Sequence, residues 1–133
     1  MSNLTATNID NGSVFIDCGE FEDGLLTFAG AGTVVEGTIL AVDSVSLKYV
    51  PFVKGGSTNE NGIPKAVLTY DVVAAGAGDE AIRAGIEGYV RIDKLVIAAD
   101  GDSSNVDKAV QDQLRDYGIT PRTVSELNSF DNQ

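Results

Sequence analysis

The chain has 133 residues, 20 acids against 9 bases, no histidine and a net charge of −11. That length suits one domain with its own core, and 43% hydrophobic residues exclude a disordered chain. The charge removes electrostatic attraction to nucleic-acid phosphates and anionic membranes; the missing histidine removes the commonest general base and a common metal ligand.

Residues 1–12 are polar, carry no hydrophobic period and end in the turn signal Asp10, Asn11, Gly12. They read as a flexible N-terminal arm, with strand capacity through Leu4, Thr5, Ala6, Thr7, Asn8 and Ile9 where a partner supplies a sheet edge. The segment has neither the basic region nor the apolar run of a signal peptide, so synthesis in the cytoplasm is expected. Residues 13–133 read as a single β-rich domain. Segments 14–18 and 25–29 are expected as two short strands around an acidic loop at 19–24. Cys18, the only cysteine, has no internal disulfide partner and reads as a small buried hydrophobe.

Segments 33–35 and 38–42 are β-branched and apolar, separated by Glu36 and Gly37. Segment 47–53 is another strand, with Pro51 marking an edge or a bulge. Residues 55–62 form a loop, 66–73 a strongly apolar strand, and 74–79 a turn. Ile82, Ala84, Ile86, Gly88, Val90 and Ile92 then alternate with Arg83, Gly85, Glu87, Tyr89 and Arg91. A period of two over this length is a half-buried strand. Leu95 and Ile97 fall out of phase, so Asp93 and Lys94 mark a bulge or corner.

A helix is expected at about 104–117, capped by Asp102, Ser103 or Ser104, with Val106, Ala109, Val110, Leu114 and Tyr117 at helical spacing. Asp102 and Asp107 suit the positive end of its dipole and Arg115 the negative end. Gly118 fits the position after the C-cap, with Pro121 just beyond. Residues 124–127 form a last short strand or turn, and 129–133 a polar tail. The class is mainly β with a small α component (α+β), a compact barrel-like sheet with one helix. No run of 18 apolar residues is present to span a membrane.

No motif selects a chemistry. Gly30-Ala31-Gly32 and Gly76-Ala77-Gly78 are followed by strands, whereas a phosphate loop opens a helix, so they read as turn glycines. The run from Asp100 to Asn105 is rich in oxygen but has Asn105 and Gln111 where a calcium loop needs Gly and Glu. It reads as a helix cap, with an adventitious Ca²⁺ site as the alternative. Carboxylate pairs such as Glu20 with Glu22, or Asp79 with Glu80, are common in so acidic a chain, and nothing selects one for acid–base work. Arg83 and Arg91 are expected as cross-strand partners of acids. Together with Glu87 and Tyr89 they form a candidate subunit interface on the polar face of the long strand. No catalytic residue, metal ligand or cofactor site is assigned.

The order of segments carries a resemblance. Glu36-Gly-Thr-Ile-Leu-Ala41 leads to Leu47-Lys-Tyr-Val-Pro-Phe52, then a loop with Asn61-Gly62 and Lys65-Ala-Val-Leu68. Gly78-Asp79, Gly88-Tyr-Val-Arg91 and Lys94-Leu95 follow, and a helical segment ends in Leu-Arg-Asp-Tyr-Gly-Ile. Over roughly residues 25–119 this resembles the head decoration (capsid cement) proteins of tailed phages, the lambda-type family. The resemblance implies a structural protein with no enzymatic activity or cofactor. It implies a homotrimer that binds the major capsid protein on the outer surface of the expanded head, at three-fold or quasi-three-fold sites. It implies that the N-terminal arm orders against the shell; Leu4, Thr5, Ala6, Thr7, Asn8 and Ile9 occupy that place by position alone. The other readings are a tail-tube component or head-fibre base, or a small acidic sugar-binding or hydrolase β-domain.

Overall fold

The computed structural model describes residues 13–123. They form β1 (Phe15–Phe28), β2 (Gly32–Val34), β3 (Ile39–Val42), β4 (Tyr49–Pro51), β5 (Ala66–Leu68), β6 (Val72–Ala74) and β7 (Gly78–Arg91). A 3-10 turn (Ile92–Lys94), the helix α1 (Lys108–Asp116) and β8 (Ile119–Arg122) complete the order. β1 pairs with β4 in parallel, and antiparallel pairing continues from β4 to β3, β5, β7 and back to β1. Five strands thus close into a small barrel, which leaves no open edge along the closed part. β8 adds in parallel to the end of β7, and β2 pairs with β6 as a separate ribbon.

Two apolar clusters hold this arrangement. Leu26, Leu40, Tyr49, Ala66, Leu68, Ile82 and Ala84 come from all five barrel strands and fill its interior. Ile39 and Val67 project from the opposite faces of β3 and β5 into the second cluster. There they meet Phe15, Phe52, Val90, Leu95 and Ile97, together with Val110 and Leu114 of α1. β3 and β5 are therefore buried on both faces, which is why their sequences read as unbroken apolar runs.

The long alternating strand is present, but its register is richer than one face in and one face out. It begins at Gly78, and Ile92 already belongs to the 3-10 turn that makes the expected corner. Ile82 and Ala84 enter the barrel interior, whereas Val90 enters the outer cluster. Gly88, at φ +143, lies between them. Arg91, expected on the solvent face, is buried at 8% exposure.

Several expected boundaries are corrected. Segments 14–18 and 25–29 are one continuous strand, with no acidic loop between them. β1 follows β7 through twelve registered pairs and absorbs three register shifts near its start. A ladder is made by the backbone, so Glu20, Glu22 and Asp23 need no apolar side chains to take part. Gly24 is required here, because a Cβ would stand 2.8 Å from the Tyr49 ring packed beneath it. The Tyr49 hydroxyl donates to Glu22, and burial together with that carboxylate pushes the phenol well above its ordinary pKa.

The apolar run 66–73 divides into β5 and β6. Asp71 in the break accepts the Glu36 N–H at 2.7 Å. Pro51 closes β4 at a position that pairs with β3 alone, so it lies at a local edge, as expected. The Phe52 N–H donates to Ile39, so the proline nitrogen faces away from β3, beyond the end of the β1 pairing.

The helix starts at Lys108, later than expected, because Val106 is already buried in a turn closed by its N–H on Ser103. Asp107 is the cap, its carboxylate accepting from the Val110 N–H at 3.1 Å. Asp102 instead closes a turn by accepting the Ser104 N–H. Ala109 and Tyr117 face solvent. Gly118 follows the C-cap at φ +91, as the left-handed position there demands. The chain then enters β8, with Pro121 inside it. The expected strand at 124–127, the polar tail and the arm at 1–12 lie outside the described residues.

Acidic caps and ion pairs give the fold a pH dependence of definite sign. Backbone N–H groups of Val45 and Ser46 hold the Asp43 carboxyl below its ordinary value of 3.8. Lys48 and Thr27 do so for Asp79, and Lys54 and the Val110 N–H for Asp107. A carboxyl lowered in the folded state contributes stability above its unfolded pKa and loses it as pH falls through the folded one. The thermal midpoint should therefore decline as pH drops below about 4. Melts followed by circular dichroism between neutral pH and the acid limit test this; a midpoint that rises on acidification through that range contradicts it.

Candidate functional site

The candidate surface residues spread along β7, and the structure does not gather them into one patch. Arg83 stands directly across the ladder from Asp23. Its Nε donates to Asp23 Oδ1 at 2.9 Å and its Nη2 to Oδ2 at 3.4 Å. The guanidinium lies 5.9 Å from the centroid of the exposed Phe21 ring. The pair holds the Asp23 carboxyl below its usual range and raises the Arg83 guanidinium. Both partners are exposed, so the pair orients side chains more than it stabilises the fold.

Arg91 leaves the candidate surface altogether. It is buried, bonded to Asp93 two residues on, with Nη2 3.3 Å from Oδ2. Among the described residues its acid is Asp93, a neighbour on the same chain segment. The reason is the position: β8 runs alongside, placing Arg122 opposite Arg91, and the Arg91 N–H donates to Val14 on the other side. Alternation identifies the face of a strand, but not what covers that face.

Glu87 and Tyr89 share an open groove of about 290 Å³ with Asp17 and Thr120. Its remaining lining is Gly19, Gly88 and Gly118. Glu87 lies over Gly19, where a Cβ would come within 2.9 Å of its Oε1. The Tyr89 ring is stacked by Arg122 at 4.6 Å, a partner that sequence reasoning did not foresee because it lies on β8. The groove offers acceptors on a glycine floor and suits donor-rich groups of a neighbouring surface.

The other sequence candidates have structural employment. Asp79 pairs with Lys48 at 2.6 Å, and Glu22 receives the Tyr49 hydroxyl. Asp100 receives the Asn105 amide at 2.9 Å. Both glycine-rich turns lead into strands, β2 and β7. Among the described residues no group of three or more Cys, Asp and Glu is placed to hold a metal ion. Every buried side-chain polar atom among them has a hydrogen-bond partner. No helix of the described residues is long and apolar enough to cross a membrane. The Cys18 side chain and the arm residues Leu4 to Ile9 lie outside what is described.

No protein-family model matches the chain, and no curated protein matches it as a relative.

One feature of the surface has no counterpart in the sequence reading. Val45 and Leu47 stand 77% and 75% exposed on the turn between β3 and β4. The sequence signal that could have found them is Asp43, a short acid that closes turns on following N–H groups.

Proposed function

We propose that this chain is a phage head decoration protein, a structural trimer that binds the outside of the expanded capsid. The observation that carries the reading is where the resembling segments fall. Those around residues 36–41, 47–52, 65–68 and 88–91 supply β3, β4, β5 and the end of β7. The segment ending at Ile119 supplies α1. The resemblance thus follows the elements that build the two cores, together with the loop at Asn61-Gly62 and the turn at Lys94-Leu95 that join them.

The remaining features agree with a mechanical role. The exterior is acidic, with six carboxyl–cation pairs among the described residues. The chain enters the barrel through β1 after an arm of twelve residues with β-capable side chains. Such an arm adds as a strand to an exposed edge of the shell, where main-chain hydrogen bonds give affinity without much demand on side chains. Three arms on one trimer convert weak contacts into strong avidity. A trimer clamped across adjoining capsomers resists opening of the shell under internal DNA pressure, and no chemistry is required.

Mixing the protein with matched expanded, undecorated shells tests the reading. Saturable addition at three copies per three-fold site, measured by sedimentation and gel densitometry, is expected. Failure to bind such shells at saturating protein overturns it. Rings or tubes in micrographs of the concentrated protein would point to a tail component instead.

A further inference from the structure

The loop after β4 contains the dipeptide Asn61-Gly62. The fold demands the glycine, because a Cβ there would collide with the Gly56 carbonyl oxygen, and no side-chain rotation relieves a clash with backbone. The same glycine exposes the preceding asparagine to attack, since no side chain shields its backbone nitrogen. Asn61 also fastens the loop. Its N–H donates to the Thr58 carbonyl at 3.0 Å, and its carbonyl accepts the Val53 N–H at 2.9 Å. The Gly62 carbonyl accepts the Gln113 amide of α1 at 3.5 Å. The loop is thereby tied to the end of β4 and to the helix.

An asparagine side chain reacts with its own backbone through the following nitrogen, which attacks, the amide oxygen, which gathers charge, and the amide nitrogen, which leaves. At Asn61 all of these are disposed for reaction. Among the described residues, neither the Gly62 N–H nor the Asn61 amide nitrogen has a hydrogen-bond partner. Attacking and leaving nitrogens are thus free. The Asn61 Oδ1 accepts the Thr58 N–H at 3.2 Å, and a donor at that oxygen stabilises the charge that develops when the carbon is attacked. Both residues are half-buried, so water and hydroxide reach them. Asn105 is the opposite case. The nitrogen that follows it, on Val106, donates to Ser103 at 3.0 Å. Its own amide nitrogen donates to Asp100 at 2.9 Å.

We propose that Asn61 is a self-modification site, at which the folded chain converts asparagine to aspartate and isoaspartate and so releases its own loop. Hydroxide removes the Gly62 amide proton, and the nitrogen attacks Asn61 Cγ. The N–Cγ bond forms, the Cγ–Nδ2 bond breaks, and Nδ2 departs as ammonia with a proton taken from water. Water then opens the cyclic imide. Cleavage at Cγ gives aspartate; cleavage at the backbone carbonyl carbon gives isoaspartate, whose main chain runs through Cβ and Cγ. Either product adds a negative charge to a chain already at −11. Aspartate keeps the backbone and an oxygen for the Thr58 N–H. Isoaspartate adds a carbon to the main chain between the Val53 and Gln113 bonds, and it moves the carbonyl that accepts from Val53 off the main chain. The loop can no longer hold both bonds. This site is independent of the capsid reading.

The test ages the whole chain at mildly alkaline pH, folded and in urea, and maps its peptides by mass spectrometry with separation of the aspartyl and isoaspartyl forms. The folded chain should convert at Asn61, and faster as pH rises, since proton loss from Gly62 comes first. Unfolding should accelerate Asn105 severalfold more than Asn61, because only Asn105 has both nitrogens bonded in the fold. Hydrogen exchange then reads the loop. The Val53 N–H should lose protection in the isoaspartyl fraction and keep it in Asn61→Asp, which carries the charge without the extra carbon. A folded chain with Asn61 intact when the urea sample has converted overturns the site, as does an equal acceleration of the two asparagines on unfolding. Unchanged exchange at Val53 in the isoaspartyl fraction overturns the release of the loop.

Discussion

Gly37→Ala is expected to cost about 3–5 kcal/mol, from backbone strain and overpacking added together. Gly37 sits at φ +90, where an alanine is strained. A Cβ built there would also stand well inside contact distance of the Lys94 carbonyl oxygen. That oxygen belongs to the backbone of the 3-10 turn, so no rotamer change relieves the clash. The surrounding bonds leave no slack either. The Gly37 N–H donates to Leu68 at 2.9 Å, and its carbonyl accepts from Val96 at 2.9 Å. The residue thus joins the end of β5 to the segment that carries Leu95 and Ile97 into the outer core.

Against a typical total of about 5–15 kcal/mol, this loss is large, and the midpoint should fall by roughly 10–20 °C. Urea and thermal unfolding measure it. Gly30→Ala is the control, since nothing lies within 4 Å of a Cβ there, and it should change stability by less than about 0.5 kcal/mol. If both variants melt together with the wild type, the close approach of Gly37 to Lys94 is not a feature of the protein.

The contrast between these glycines shows what a sequence conveys and what it withholds. Gly37 and Gly30 look alike on the page, as punctuation between strands. Only the closure of the barrel brings Lys94 against one of them. The strand through Ile82, Ala84 and Val90 was legible because side-chain alternation is a local property of extended backbone. The division of those residues between two cores was not, because it depends on which elements lie over each end of the strand. The acidic stretch of β1 was misread for the opposite reason. Its side chains face water, so the pattern held no trace of the ladder that β7 imposes on its backbone. The helix was legible through Val110 and Leu114, and its start was displaced because Val106 keeps helical spacing while still outside the helix. At the candidate surface, Arg83 found its acid across the ladder. Arg91 is buried and pairs with Asp93 on its own segment, where β8, a strand formed after the helix, lies along that end of the sheet. Leu47 itself announces no left-handed turn, and its only signal is Asp43, whose carboxylate closes the turn on the Val45 and Ser46 N–H groups.

The arm is where fold and proposed function separate most cleanly. All five barrel strands, both apolar clusters and the helix come from residues 13–123. Deleting residues 1–12 therefore keeps every one of these elements, and the midpoint should change by an amount typical of surface substitutions, about 0.5 kcal/mol or less. Shell binding should behave differently. If three arms act together on one trimer, losing them removes an avidity gain of about 10²–10⁴. The truncated protein should thus remain folded yet require at least about a hundredfold more protein to saturate expanded shells. A second variant tests how the arm binds. Proline at Thr5 and Thr7 deletes two N–H donors, which would point the same way in an added strand, while leaving the arm's length and charge intact. An arm that adds as a strand should lose most of its binding through these prolines, provided those N–H groups face the shell. Thr5→Ala with Thr7→Ala should retain it. Equal loss in the alanine variant would show that side chains, and not a backbone ladder, hold the arm. Full binding by the truncated protein would remove the arm from the mechanism and place the shell contact on the barrel.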